Sequence, residues 1–463
     1  MTDKIRDYFD SVCGQRIAFI GLGRTNLPLI KMFCDAGAVV YACDSKSREQ
    51  LGECADKAIE YGAELSLGED YLSSLNVDIV FRTPGMNYNH PALVMMRDNG
   101  VLVTSEMELF FELCPCKIVA VTGSDGKTTT TTIISELLKH QGYNVFLGGN
   151  IGNPLVPFIN EIDEDDFAVV ELSSFQLISM KQSPDISVVT NITPNHLDVH
   201  RDMQEYIDAK RNIVLYQSSQ NRTVLNLNDE ISSSFENSTN ADVFKFSGTN
   251  NTVEKGTFLN DGWICYSDGV NESPVLKVDD IVIPGHHNIE NYMAAICAVR
   301  EYVSNDTIRF VAKNFRGVAH RAQFVREIDG VRYYNDSIAS SPTRTAKGML
   351  SLFEQKIILI CGGYDKNIPY EPLGPAICSK VSILILIGKT APKIEAAVVN
   401  SPNYSEGNPV ICHAESMEEA VRIAADLSKS GDIVALSPAS ASFDMYKDFE
   451  SRGNHFMSIV NTL

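Results

Sequence analysis

The sequence has no long apolar run. Its longest, such as Val381–Ile387, falls far short of the ~20 residues a bilayer-spanning helix needs. The opening residues, MTDKIRDYFDSV, hold no apolar stretch of leader length, so neither a secretory leader nor a membrane anchor is expected. Cations are scarce: 39 Lys and Arg against 59 Asp and Glu give a net charge of −20. A nucleic-acid binder needs a basic face, so this balance argues against that class. Anionic small substrates stay open, because a local cluster of cationic groups overrides the global field. A disulfide framework is also missing. The 11 cysteines are scattered, several inside apolar runs (Cys34, Cys297, Cys361). The closest pair, Cys114 and Cys116, flanks Pro115 at a spacing unlike a metal knuckle. Buried, reduced thiols are the expectation. There is no long-period repeat and no low-complexity tract. The 463 residues, 44% hydrophobic and 21% charged, suit a globular chain of about three domains.

What is present centres on residues 117–134, KIVAVTGSDGKTTTTTII. The apolar residues 118–121 predict a short buried strand. Gly123 and Gly126 let the backbone close into a concave turn with inward N–H groups. Lys127 puts a point charge at its mouth. Thr128 offers a hydroxyl of the kind that holds Mg²⁺ beside a nucleotide's terminal phosphates, and the following helix adds its positive end. The spacing G-x-x-G-K-T is tighter than the Walker form, and a plain strand-to-helix turn with a solvated lysine is the alternative. Five threonines, 128–132, open that helix although threonine is a middling helix former; only Thr128 is assigned a role.

Residues 1–105 predict a doubly wound unit. A strand at 16–20 leads into Gly21-Leu22-Gly23-Arg24-Thr25-Asn26, then a helix, then a strand at 38–43 ending in Asp44. This is an incomplete dinucleotide fingerprint, with Asn26 where the third glycine belongs; a nicotinamide site and a nucleotide-sugar site both remain open. A strand at 77–81 ends at Thr83-Pro84-Gly85-Met86, a carboxyl-end loop of the type that binds ligands. Residues 106–317 carry the phosphate loop. There, 148–152 reads as a turn bearing Asn150, and a strand at 166–172 brings Glu171 to its tip, as a Mg²⁺ ligand, a water holder or a solvated strand end. A strand at 186–192 precedes His196, a metal ligand or a surface histidine. Lys210 reads in isolation as an ordinary exposed helix lysine. Asn288 and Asn291 open a helix, as caps or nucleotide contacts. Residues 318–463 read as another α/β unit, with strands at 331–335, 356–361, 381–387, 410–413 and 432–436 whose ends carry polar groups. Ser416 and Glu419 predict a capping box. Alternating strands and helices imply mostly parallel sheets.

Several stretches together resemble the Mur ligases, ATP-dependent amide ligases of peptidoglycan precursor synthesis. They are TGSDGKTTT (122–130), GGNIG (148–152), ELSSFQL (171–177), NITPNHLDVH (191–200), HHNIEN (286–291), and HRAQF with YYNDS (320–337). The likeness spans nearly the whole chain. GLGRTN, the TPGM loop and the tail LSPASASFDMYKDFESRGNHF (436–456) resemble the member that adds D-glutamate to UDP-N-acetylmuramoyl-L-alanine. The Asp-Asn-Pro-Arg signature of diaminopimelate-adding members is missing.

The resemblance implies a three-domain α/β fold: a Rossmann-like domain over 1–105, a central P-loop ATPase-like domain over 106–317, and a Rossmann-like domain over 318–463. It implies ATP and Mg²⁺, a cytoplasmic monomer, and three small-molecule substrates, with no nucleic-acid or membrane partner. ATP would lie on Gly123, Ser124, Asp125, Gly126, Lys127, Thr128 and Thr129, with Asn288, Asn291, Arg321 and Asp336. Metal would be held by Thr128, Glu171, His196 and a carbamylated Lys210, with Lys127, His196 and Lys210 catalytic. Arg24, Thr25, Asp44, Ser45, Gly85 and Asn150 would hold the uridine substrate; Ser340, Lys366, Ser442 and Phe449 would hold D-glutamate. The family's Asn-Asp-Ser-Lys segment reads Asn335-Asp336-Ser337-Ile338 here, so a cation is missing at 338, and Arg344 or another basic residue supplies it or the pocket is tuned differently. Folylpolyglutamate synthetase-like ligases, Mur ligases for another amino acid, nucleotide-driven switches and nicotinamide dehydrogenases are the alternatives, each leaving one of these features unexplained.

Overall fold

The computed structural model describes every residue except 1, 74, 195–198, 250 and 251. His196 therefore lies outside the described residues. The chain divides into two units, Met1–Asp280 with Ile289–Val311, and Ile281–Asn288 with Ala312–Leu463.

The first unit contains two sheets. One is built from β1 (Arg16–Ile20), β2 (Val39–Asp44), β3 (Glu64–Leu67), β4 (Ile79–Arg82) and β5 (Leu102–Thr104) in the order β3-β2-β1-β4-β5, every pair parallel. Strand order reverses between β1 and β4, and a crevice forms where such a reversal occurs. The two loops flanking it touch: a Cβ on Gly21 would stand 2.7 Å from Thr83 Cγ2. The other sheet is made of β6 (Lys117–Thr122), β7 (Val145–Gly149), β8 (Phe167–Glu171), β9 (Ile186–Val189), β10 (Arg222–Asn226), β11 (Asp242–Ser247), β12 (Lys255–Asn260), β13 (Trp263–Asp268) and β14 (Glu272–Lys277). Its order is β14-β13-β12-β11-β10-β9-β6-β8-β7, with β6 flanked by parallel β8 and β9. The carboxyl ends of these three strands therefore adjoin.

One apolar core serves both sheets. Phe19, Phe33 and Phe81 from the first join Met107, Leu109 and Phe110 of the helix Glu106–Leu113, then Ala120 and Val170 of the second. Glu106 fastens the junction: its buried carboxylate accepts the Leu155 and Val156 N–H groups at 2.7 and 3.0 Å.

The second unit holds β15 (Gln323–Ile328), β16 (Val331–Asn335), β17 (Ile357–Cys361), β18 (Val381–Ile387), β19 (Val410–Ala414) and β20 (Ile433–Leu436) in the order β15-β16-β20-β17-β18-β19. Only the β15/β16 hairpin is antiparallel. Apolar clusters cover both faces, as a parallel sheet requires.

Two local expectations are corrected. Gly148 and Gly149 complete β7 rather than standing wholly in a turn. The capping box at Ser416 is half made: Ser416 Oγ accepts the Glu419 N–H, but the Glu419 carboxylate takes the Glu415 N–H at 2.8 Å. Among the described residues no helix is long and apolar enough to cross a membrane. Phe33 is fully buried among the rings of Tyr8, Phe9, Phe19 and Phe81. Phe33→Ala is expected to cost about 3–5 kcal/mol, read as a lower denaturant midpoint for the unit that holds the first two sheets.

Candidate active site

The turn between β6 and the helix Lys127–Gln141 is fixed by glycine and by β9. Gly123 and Gly126 have φ of 152° and 78°. A Cβ on Gly123 would stand 1.9 Å from Thr190 Oγ1, and one on Gly126 2.5 Å from Asn291 Oδ1, so neither position admits a side chain. The Ser124 and Asp125 N–H groups donate to the Asn191 carbonyl (2.8 Å) and side chain (3.0 Å). Thr190 Oγ1 donates to the Asp125 carbonyl at 2.6 Å. The Lys127 ammonium folds over the turn onto the Gly123 and Ser124 carbonyls at 2.9 and 2.8 Å.

The threonine run has more uses than its sequence discloses. Thr131 and Thr132 donate to the carbonyls four residues back, at 2.8 and 2.7 Å. Such back-bonding satisfies buried hydroxyls inside a helix. Thr130, fully buried, donates to Asn291 Oδ1 at 3.1 Å. Asn288 instead donates to the Pro284 carbonyl at 2.6 Å.

Glu171, at the tip of β8 and 1% exposed, takes the Thr128 hydroxyl on one carboxylate oxygen and the Asn150 amide on the other, both at 2.7 Å. Gly149 must be glycine for this approach, since a Cβ there would lie 2.2 Å from the Glu171 carbonyl. Lys210 is the largest departure from its reading in isolation. It is 1% exposed on the inward face of the helix Met203–Leu215. Its Nζ donates to the Gly123 carbonyl at 2.8 Å and to Thr122 Oγ1 at 3.2 Å, with the Tyr206 ring centroid 4.9 Å away. Burial first, then the neighbouring Lys127 charge, holds its amine well below the usual lysine range. The stripe Tyr206, Ala209, Lys210, Ile213 was the available signal: a lysine on an otherwise apolar face. Among the described residues no group of three or more His, Cys, Asp or Glu side chains could hold a metal. The donors here are a carboxylate, a hydroxyl and an amine. His200, in the same motif as His196, is structural: it bonds Ser174 Oγ at 2.8 Å and stacks on Phe175.

A cavity of about 170 Å³ opens between the first two sheets, lined in part by Arg24, Thr25, Arg82, Asn150 and Gln176. Arg24 donates to Asn153 Oδ1 at 2.6 Å and to the Gly152 carbonyl. Asp44 is committed to the glycine turn, accepting the Leu22 and Lys46 N–H groups at 2.9 and 3.0 Å. Asn26 is buried and its amide donates to the Ile20 carbonyl at 2.9 Å, which shows why an amide stands there. Ser45 and Gly85 are exposed nearby in the chain. Sequence reasoning missed Arg82, a buried cation ending the apolar β4, which donates to the Phe175 carbonyl and Ser179 Oγ, both at 2.8 Å.

In the second unit the loops after β16, β20 and β17 adjoin. Asp336 is 5% exposed; it accepts the Ser437 hydroxyl at 2.7 Å and the Ala322 N–H at 3.2 Å. Arg321 is exposed beside it. The Ile338 carbonyl accepts the Ser340 N–H at 2.8 Å and Arg344 Nη1 at 3.4 Å. Ser337 donates to the Phe449 carbonyl at 2.7 Å. Ser442 is buried, whereas Lys366 is exposed.

A phosphate-loop sheet with a buried carboxylate at the adjacent strand tip defines an α/β protein built to hold a nucleotide's phosphates. Comparison with known proteins narrows this. The Mur ligase middle domain profile matches residues 121–299, and the profile for the Mur ligase glutamate ligase domain matches 320–440. The chain is 50% identical to UDP-N-acetylmuramoylalanine–D-glutamate ligase of Acetivibrio thermocellus, and 48% identical to that of Clostridium botulinum strain Okra, over 100% of each chain. The crystal structure of UDP-N-acetylmuramate-alanine ligase from Thermotoga maritima matches at TM-score 0.53 and 18% identity, covering 97% of this chain and 99% of that one. That of MurF from Acinetobacter baumannii matches at 0.55 and 16%, covering 77% and 82%. These two bear on the fold alone. The chain belongs to the Mur ligase family.

Burial pushes the Asp336 carboxyl up to about 6. An unfolded aspartate ionises near about 4, so between those values the folded protein holds the extra proton. This contribution to stability is complete below about pH 4 and is lost as pH rises through about 6, a swing of roughly 3 kcal/mol. Asp336→Asn is expected to remove that slope. Urea unfolding of both proteins between about pH 4.5 and 7 checks it; parallel stability curves would contradict it.

Proposed function

We propose that the chain is an ATP-dependent amide ligase that adds D-glutamate to UDP-N-acetylmuramoyl-L-alanine in peptidoglycan precursor synthesis, releasing ADP and phosphate. The observation that carries this is full-length 50% identity to a relative of that name, together with the Thr128–Glu171–Lys210 cluster around the phosphate loop. In this reading residues 1–105 take the uridine nucleotide, 106–317 take ATP, and 318–463 take the amino acid. The protein works in the cytoplasm as a monomer, on small molecules only, with neither nucleic acid nor membrane as partner.

A carboxylate is a poor electrophile for an amine. The alanyl carboxylate attacks the γ-phosphorus of ATP, ADP leaves, and the acyl phosphate formed is attacked by the D-glutamate amine; phosphate then leaves the tetrahedral carbon. There is little covalent work for side chains, so positioning and charge neutralisation carry the catalysis. Lys127 swings from the loop carbonyls to the phosphoryl oxygens. The loop glycines let backbone N–H groups approach the phosphates, and Asn288, Asn291, Arg321 and Asp336 hold the nucleoside and phosphates. Arg24, Thr25, Asp44, Ser45, Gly85 and Asn150 hold the sugar nucleotide, with Asp44 acting through the turn it fastens. Ser340, Lys366, Ser442 and the Phe449 backbone hold D-glutamate.

The residues present fit Mg²⁺. Thr128 and Glu171 already share a hydrogen bond, and a hydroxyl and a carboxylate oxygen are the hard donors this ion takes. Lys210, whose amine is held well below the usual lysine range, is suited to capture CO₂: the ammonium first loses a proton, the Nζ lone pair then forms an N–C bond to CO₂, and a second proton leaves to give the carbamate anion. Thr128, Glu171, the carbamylated Lys210 and His196 would then hold the metal. When bound, the ion supplies charge neutralisation at the phosphates.

Phosphate release from ATP, with the sugar nucleotide fixed and amino acids of both hands varied, tests the reading. Release with D-glutamate alone is expected; release with L-lysine, L-diaminopimelate or with no amino acid points to another ligase of the superfamily or to a plain ATPase. Lys127→Ala is expected to reduce turnover at least 10³-fold, an order set by lost electrostatic stabilisation, and near-normal activity would remove the phosphate-loop assignment. Lys210→Ala is expected to lose activity that added short carboxylic acids partly restore. An unchanged rate would refute the carbamate.

A further inference from the structure

Arg452 is a buried cation to which the mechanism above gives no task. It lies in the first turns of the helix Phe449–Thr462 and is 3% exposed. Four hydrogen bonds hold its guanidinium. Nε donates to Ser337 Oγ (3.0 Å), Nη1 to the Ala441 carbonyl (3.0 Å), and Nη2 to the Ser337 and Ser440 carbonyls (2.9 and 3.1 Å). All four acceptors are neutral, and among the described residues no carboxylate pairs with it. The nearest acid it feels, Asp444, has an oxygen engaged by the Lys389 N–H at 3.1 Å. Burial lowers the group only to about 10, so it stays protonated at neutral pH.

This arrangement is costly. Buried charges are ordinarily paired, and a cation near a helix N-terminus opposes the helix dipole. Its neighbours show what the charge faces. The Ser337 hydroxyl donates a hydrogen bond to the Phe449 carbonyl, and Ser440 and Ala441 directly precede Ser442. The Tyr364 N–H shares the Ala441 carbonyl at 2.8 Å. Gly363 must be glycine: at φ 150° its Cβ would stand 2.2 Å from that carbonyl and 3.0 Å from Arg452 Nη1. The guanidinium therefore joins the loops after β16 and β20 directly, and the loop after β17 through the shared Ala441 carbonyl; these are the loops that carry Ser340, Ser442 and Lys366.

We propose that Arg452 is a positioning residue for the amino-acid substrate: it ties these three loops together, and its unpaired charge makes the pocket they form selective for a dicarboxylate. This rests on the D-glutamate reading above. The charge acts through the loops without touching the substrate. At an effective dielectric near 20, a cation with no carboxylate in salt-bridge contact is worth roughly a 10- to 100-fold preference for a second carboxylate about 6–10 Å away.

The test measures KM and kcat for D-glutamate, and inhibition by D-glutamine, in wild type, Arg452→Gln, Arg452→Lys and Ser337→Asp, at saturating ATP and sugar nucleotide. Ser337→Asp leaves the guanidinium in place but supplies a counter-charge, so it reads the same property if Arg452→Gln fails to fold. The expected result is a D-glutamate KM raised about 30-fold in Arg452→Gln and Ser337→Asp. Arg452→Lys, which keeps the charge but not the four-bond fork, should fall between wild type and Arg452→Gln, and the KM for ATP and the inhibition constant of D-glutamine should be unchanged throughout. Equal loss in Arg452→Lys and Arg452→Gln, equal weakening of D-glutamate and D-glutamine, or an unmoved KM in Ser337→Asp would overturn the proposal. Wild type that does not use D-glutamate at all would instead remove the reading it rests on.

Discussion

The Glu171 carboxylate is the joint on which the central sheet's active end depends. It is buried, and a buried carboxylate is tolerated only when its oxygens are satisfied. Here the hydroxyl at the start of the phosphate-loop helix satisfies one oxygen and the amide of the glycine turn after β7 satisfies the other. Three segments distant in sequence are drawn to one point. The same demand explains local chemistry that otherwise looks arbitrary: Gly149 cannot carry a side chain, and Thr128 must present an oxygen rather than a methyl group.

A buried amine does comparable work on the other side of the loop. Lys210 is held by the carbonyl of Gly123 and the hydroxyl of Thr122, so its amine supports the turn from beneath while Lys127 covers it from above. Burial, and then repulsion from the Lys127 ammonium over the same turn, lowers the Lys210 amine well below its ordinary range.

Much of the architecture was legible because strands and helices alternate with clear periodicity. The strands Arg16–Ile20, Val331–Asn335 and Val381–Ile387 occur where apolar runs placed them. Glu64–Leu67 and Leu102–Thr104 were not foreseen: both are short and only partly apolar, and their pairing in the sheet decides them rather than their own composition. Site residues divide in the same way. The phosphate loop and Glu171 could be read from local pattern. Lys210 left only the faint signal of a lysine on an apolar helix face, and Arg82 and Arg452 left none, because burial of a cation is settled by acceptors far away in sequence: Gly123, Phe175 and Ser337. The threonine run shows the opposite case: Thr130, Thr131 and Thr132, to which the sequence assigned no role, each have a hydrogen-bond acceptor.

The apolar core shared by the first two sheets has a consequence for how this chain can change. Boundaries drawn around sheets would cut near residue 105, yet the helix Glu106–Leu113 packs toward both sides of that cut and Glu106 is bonded across it. A crossover or truncation there would tear a hydrophobic interior and strand a carboxylate. The part with the first sheet and the part with the phosphate loop therefore hold together as one piece, and the seam at which a segment could be exchanged without cutting that core lies after Val311, where the second unit resumes.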